Sequence, residues 1–199
     1  VVFNTPGANA NAVKELVLTD MLISNRKIYD AIDWTAKLDS ESDVATLVEK
    51  GKKAFIGPEI LGKTLGVIGL GAIGRMVANS CIDLGMNVIG YDPYLSEEAA
   101  KALNANVKVT TDLNEIFKNS DYITVHVPLT DTTKYMINKN SIAIMKDNVR
   151  IINCARGELV NNADIIKACE SGKVAKYVTD FPCGELLCKK NIIAIPHLG

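Results

Sequence analysis

Short apolar runs alternate with amphipathic stretches along most of the chain. TLGVIG (64–69), NVIGYD (87–92), VKVT (107–110), YITVHV (122–127), RIINCA (150–155), KYVTDF (176–181) and NIIAIP (191–196) are each too short for a helix and rich in β-branched residues, which predicts strands. Between them AIGRMVANSCIDLG (72–85), LNEIFKNS (113–120) and NADIIKACESG (162–172) place apolar residues at helical spacing and often end at Gly or Asn, which predicts helices. Strands apolar on both faces and separated by helices imply a parallel sheet covered on two sides. The expected class is therefore α/β, a Rossmann-type doubly wound parallel sheet of about seven strands with flanking helices.

Residues 1–60 read differently. After the turn signal TPGAN (5–9), residues 11–27 carry Val13, Leu16, Val17, Met21 and Leu22 on one helical face, which predicts a long amphipathic helix packed on the domain or on a second subunit. Residues 28–57 are charged and weakly periodic around the single Trp34, the pattern of an arm. The expected organisation is one domain, with the helix and arm in 1–60 and the sheet core in 61–199.

Charge and cysteine usage narrow the function classes. Lys plus Arg number 22 against 23 for Asp plus Glu, so the chain lacks the positive field that nucleic acid or an anionic membrane surface would require. Gly, Asp or Pro interrupts every apolar stretch well before the roughly 20 residues needed to span a bilayer. No basic-then-apolar secretory pattern opens the chain, and a cytoplasmic location is expected. The five cysteines form no CxxC pair, and their odd number argues against a disulfide framework; no metal site is expected.

The strongest motif is VIGLGAIG (67–74). Gly69 permits a tight turn, Gly71 lets backbone approach a pyrophosphate, and Gly74 lets the helix lie close to the strand. The amides of Ala72 and Ile73 would then present donors and the positive helix end to the phosphates. The next strand ends at Asp92, about 20 residues on, where a carboxylate would grip the adenosine ribose hydroxyls. No base follows closely, since the nearest is Lys101, so NAD is expected rather than NADP.

Hydride chemistry on a ketone needs a proton donor for the oxygen and a cation for a substrate carboxylate. Arg156 in INCARGELV (152–160) and His197 after Pro196 both follow strands, on the side of the sheet where such folds bind ligands. An arginine fork can hold a carboxylate through two hydrogen bonds. Glu185 follows the strand that ends near Asp180 and could reach His197, holding its charged form by Coulombic attraction. His126, flanked by apolar residues and Pro128, suits a wall or a backbone support better than acid–base work.

The blocks VFNTPGANANAVKE (2–15), GPEILGKTLGVIGLGAIG (57–74), HVPLTDTT (126–133), NCARGELV (153–160), VTDFPCGE (178–185) and PHLG (196–199), in this order and spacing, resemble the D-2-hydroxyacid dehydrogenase family. The resemblance implies that Arg156 binds the substrate carboxylate, that His197 is the general acid/base with Glu185 as its carboxylate partner, and that Asp180 lies near the nicotinamide carboxamide. It also implies that Cys154, Ala155, His126, Val127 and Pro128 line the cofactor through their backbone. VTDFPCGEL lacks a residue that many members place between the Asp and the Phe-Pro pair, which bears on the register of Glu185.

The same resemblance implies an NAD-dependent oxidoreductase acting on a small-molecule 2-hydroxy or 2-keto acid, with 3-phosphoglycerate, at the entry to serine biosynthesis, as the expected substrate. Glyoxylate, hydroxypyruvate and lactate remain alternatives, as does a corepressor-like protein that senses NAD. A homodimer through the N-terminal helix and arm is expected. In this family both chain ends build the substrate domain, so that domain is expected to be absent from this chain and the isolated domain to be inactive.

Overall fold

A computed structural model describes residues 9–198, so the turn expected at 5–9 falls largely outside it. The chain enters through α1 (Ala10–Asn25), α2 (Ile28–Ala36) and α3 (Val44–Gly51), with a short 3-10 turn at Lys52–Phe55. The core then runs β1 (Thr64–Ile68), α4 (Ala72–Asp83), β2 (Asn87–Tyr91), α5 (Glu97–Lys101), β3 (Lys108–Thr110), α6 (Leu113–Asn119), β4 (Tyr122–Val125), α7 (Lys139–Ile144), β5 (Val149–Asn153), α8 (Asn162–Ser171), β6 (Val174–Thr179) and β7 (Ile192–Ala194). Local signals close the helices. Asn161 accepts from the Asp164 amide at the start of α8, and Gly172 ends that helix at φ 84°.

All seven strands pair in parallel in the order β3-β2-β1-β4-β5-β6-β7. The seven expected strands and the three expected helices are all present. The order reverses between β1 and β4, and this crevice at the carboxyl ends of the strands is where open parallel sheets take ligands. Alternation within each strand feeds two cores. Leu65, Val67 and Ile152 pack with Val13, Val17, Met21, Val77 and Cys81 beneath α1 and α4, while Ile68, Val125 and Ile151 pack with Ile116, Phe117 and Ile165 on the other face.

The first sixty residues depart from the expectation in detail. Val13, Val17 and Met21 are buried on α1, but Leu22 is 46% exposed and Leu16 only partly covered. The buried stripe continues from these through Asp20, Ser24 and Asn25, because α1 packs on α4, β5 and β6 along this face, where Cys154 meets Asp20 and Arg150 donates to the Ser24 carbonyl. The arm expected over 28–57 is helical, yet neither α2 nor α3 buries a residue. Trp34 packs on Phe55, with ring centroids 5.4 Å apart. No helix among the described residues is long and apolar enough to cross a membrane.

Candidate functional site

Strand β1 delivers the glycine loop into the crevice. Gly69 adopts φ 94°, and a Cβ there would come 2.7 Å from the His126 carbonyl oxygen. Gly74 backs so tightly onto the Gly69 carbonyl that any side chain would push α4 off the strand, whereas Gly71, the N-cap of α4, faces open space with no atom within 4 Å of a built Cβ. The loop is thus closed against the protein at two glycines and open to a ligand at the one between them. The amides of Ala72 and Ile73 lie in the first turn of the twelve-residue helix α4.

Asp92 sits beside this loop. Its Oδ2 accepts from the Leu70 amide at 3.0 Å and its Oδ1 from the Tyr94 amide at 2.9 Å. Each oxygen keeps a lone pair for a further donor. No ion pair involves Asp92 among the described residues.

The tips of β4, β5, β6 and β7 converge on a cleft of about 300 Å³ lined by Asn9, Val13, Ile73, His126, Val127, Pro128, Cys154, Ala155, Arg156, Asp180 and His197. Buried Asn153 shapes the loop that carries Arg156, donating through Nδ2 to the Arg156 carbonyl at 2.8 Å and accepting from the Ala155 amide at 3.2 Å. The Arg156 guanidinium is exposed, with Nη1 donating to the Ala155 carbonyl at 2.6 Å. A larger depression of about 830 Å³ opens between the end of α1 and β7, around Arg150, Lys176 and Ile193, but none of the expected site residues lines it.

The chain's sequence matches the model of the D-isomer-specific 2-hydroxyacid dehydrogenase NAD-binding domain over residues 18–199. The chain belongs to that family. Its relatives include a D-3-phosphoglycerate dehydrogenase of Methanocaldococcus jannaschii, 40% identical over 205 residues that take in 100% of this chain and 37% of the relative. A hydroxypyruvate reductase of Thermotoga maritima is 40% identical over 207 residues, 100% of this chain and 62% of the relative. The chain therefore spans less than two thirds of the length of each of these relatives. Among solved structures, the apo D-lactate dehydrogenase of Escherichia coli superposes with a TM-score of 0.81 at 29% identity, covering 97% of this chain and 58% of that one. The D-lactate dehydrogenase of Lactobacillus jensenii with NAD+ gives a TM-score of 0.77 at 30% identity, covering 98% and 60%.

As a D-2-hydroxyacid dehydrogenase NAD-binding domain, the chain takes NAD as its cofactor. The residues present fit it on two counts: the backbone cradle at Gly71 is open, and Asp180, 1% exposed at the cleft, keeps its Oδ1 without a hydrogen-bond partner among the described residues. A buried carboxylate oxygen with no donor is expensive unless a ligand amide completes it. Burial raises the Asp180 pKa, partly offset by His197 and Arg156.

The two halves of the expected catalytic pair lie apart. His197 places Nδ1 at 3.3 Å from Asp180 Oδ2 and tilts its ring on Phe181, with centroids 4.9 Å apart. Glu185, expected as the partner of this histidine, has no ion-pair contact with it and lines an adjoining pocket of about 460 Å³, where it accepts from Asn162 Nδ2 at 3.1 Å. Asn162, the first residue of α8, holds the Glu185 carboxylate in that pocket instead of at the imidazole.

His126 is half-buried and pairs through Nε2 with Thr124 Oγ1 at 2.9 Å. Burial pushes its pKa down to about 4, so the ring is neutral near pH 7, in keeping with a wall rather than an acid. Cys154 turns its Sγ inward to Asp20 Oδ2 at 3.2 Å, leaving its backbone to the cleft.

Three residues at or beneath the cleft escaped the sequence reading: Asn9, Val13 as a lining group, and Asp20. Asp20 had a visible signal, since it stands on the apolar stripe of α1 between Val17 and Met21. Asn9 and Val13 had none, because nothing local says that the start of α1 overhangs the tips of β4 and β5.

Proposed function

We propose that this domain serves an oxidoreductase that moves hydride between NAD and C2 of a 2-hydroxy or 2-keto acid, with 3-phosphoglycerate as substrate. The observation that carries the reading is the convergence of Arg156, Asp180 and His197 on one cleft at the carboxyl edge of a sheet whose glycine loop is open for a diphosphate. The cofactor, when bound, supplies the hydride acceptor or donor. The remaining work falls to the chain. Arg156 holds the substrate carboxylate in its planar fork and polarises the adjacent carbonyl or hydroxyl. His197 takes the hydroxyl proton during oxidation and returns it during reduction. Asp180 anchors the imidazole through Nδ1 and leaves its other nitrogen for substrate.

Glu185 enters this scheme once substrate closes the cleft. Release from Asn162 would free its carboxylate for the His197 ring, making a second anion that favours the protonated form. The choice of 3-phosphoglycerate is supported by relatives named D-3-phosphoglycerate dehydrogenase, of which that of Methanocaldococcus jannaschii is 40% identical. Hydroxypyruvate is the second reading, because the reductase of Thermotoga maritima is equally identical and is covered over more of its length.

Calorimetric titration of this chain with NAD, and assay of the full-length protein with both acids, test the reading. Binding of NAD with preferred oxidation of 3-phosphoglycerate supports it. Failure to bind NAD refutes it, and preferred reduction of hydroxypyruvate moves the assignment to the second substrate.

A further inference from the structure

Asp20 has no role in this scheme, and its surroundings are unusual. It is wholly buried on α1, its Oδ2 is met only by the Cys154 thiol at 3.2 Å, and its Oδ1 has no partner among the described residues. A thiol is a weak donor, and a buried carboxylate so poorly compensated is costly. An apolar side chain would serve the helix face better if packing were the only demand.

Among the described residues no cation pairs with it. From β5 comes the Cys154 thiol, and Arg150 of that strand turns instead to the Ser24 carbonyl at 3.1 Å. Of the titratable groups on the other elements beneath α1, Cys81 of α4 faces Met21 and Tyr122 of β4 bonds Asn25. From the tip of β6 comes Asp180, a second buried carboxylate of the same sign, whose own charge is partly met by His197 and Arg156. His126 lines the same cleft but is bonded to Thr124.

Cys154 and Asp180 line the cleft, and Asp20 lies one side chain behind them. On the reading that Arg156 and His197 act on substrate there, the nicotinamide ring must occupy this same cleft. That ring is cationic when oxidised and neutral when reduced. We propose that Asp20 is a buried charge that couples the cofactor's oxidation state to a proton: its carboxyl ionises when the cationic ring occupies the cleft and is reprotonated when the ring is neutral. The proton passes to or from bulk water, and the charge gained on Asp20 offsets the charge change on the ring. By linkage, ionised Asp20 then favours NAD+ over NADH.

The group is poised for this. Burial, with a smaller contribution from Asp180 and against the Cys154 hydrogen bond, raises its pKa to about 6, and a nearby cation lowers it again, so the exchange of cationic for neutral ring changes its charge in the window at and below pH 6.

The test uses this chain with NAD+ and NADH as probes, by calorimetry in paired buffers of different ionisation enthalpy at pH values on either side of 6. The ratio of the NADH to the NAD+ Kd is expected to rise on the order of tenfold from the acid to the alkaline side, with proton release on NAD+ binding near pH 6. Asp20→Asn should flatten the ratio at its acid value and abolish the release. Asp20→Leu repeats the measurement should the amide fail to fold. A ratio that keeps its pH dependence in the Asp20 variants overturns the proposal, as does its loss in Asp180→Asn alone. Failure to bind either cofactor at any pH overturns the functional reading beneath it as well.

Discussion

The amide of Leu70 donates to Asp92 Oδ2 across 3.0 Å, tying the glycine loop after β1 to the acid at the tip of β2. The residue expected to grip the ribose therefore also holds the loop that would cradle the diphosphate. Asp92→Ala should lower stability by about 1–2 kcal/mol, through the loss of two backbone partners, and weaken NAD binding. With an arginine at position 93 in addition, preference should move toward NADP. Thermal unfolding and the ratio of NAD to NADP affinity check both; an unchanged ratio removes the ribose role, while unchanged stability removes the clamp.

Gly71 and Gly74 should respond oppositely to the same methyl group. Gly74→Ala drives a Cβ into the Gly69 carbonyl, so the helix must shift at a cost of about 1–3 kcal/mol or more. Gly71→Ala meets nothing within 4 Å and should leave the melting temperature nearly unchanged while reducing NAD affinity. Equal effects of the two variants on both readouts would contradict this assignment.

Asp20 and His126 should oppose each other in the pH dependence of stability. The folded-state pKa of Asp20 is raised from 3.8 to about 6, so the native state holds the extra proton and stability falls as pH rises through that window. His126 is lowered from 6.5 to about 4, so the native state lacks a proton that the unfolded chain binds, and stability rises over nearly the same window. Each effect is on the order of 2–3 kcal/mol, and together they nearly cancel. Chemical denaturation of Asp20→Asn should expose a rise between pH 4 and 6, and His126→Gln a fall. A flat profile in Asp20→Asn argues against the shift of His126, and a flat profile in His126→Gln argues against the shift of Asp20.

On the proposed function, His197→Ala in the full-length protein should lower kcat by roughly a hundred- to ten-thousand-fold. Asp180→Asn and Glu185→Gln separate the two candidate carboxylates. If the 3.3 Å pair of the open cleft persists in the working enzyme, Asp180→Asn moves the pH profile and Glu185→Gln leaves it in place. If Glu185 joins on closure, its amide variant moves the profile too, and Asn162→Ala, which frees the carboxylate, should raise activity or leave it unchanged.

Dimerisation through the arm, as the resemblance implies, would cover apolar side chains that are exposed in the single chain. Tyr29 is 82% exposed and Ile32 64% on α2, with Val44 and Leu47 exposed on α3. Light scattering should report a dimer, and Tyr29→Ser with Ile32→Glu should yield monomers with unchanged NAD affinity. A monomeric parent protein would dismiss the arm as a dimer contact.

The sequence by itself determined what is local or fixed by spacing along the chain. Seven apolar runs alternating with helical stretches are enough for a doubly wound sheet, because each crossover helix has to bury its stripe on that sheet. Glycines at 69, 71 and 74, with an acid at the next strand's tip, are enough for the cofactor loop, since each constraint acts within a few residues of its cause. Only the tertiary structure decided which carboxylate meets His197 and what Asp20 touches. Cys154 lies 134 positions from Asp20 in sequence, and their contact exists because α1 lies across β5 and β6. Periodicity says which face of a helix is buried, but only the packing of distant elements chooses its neighbours.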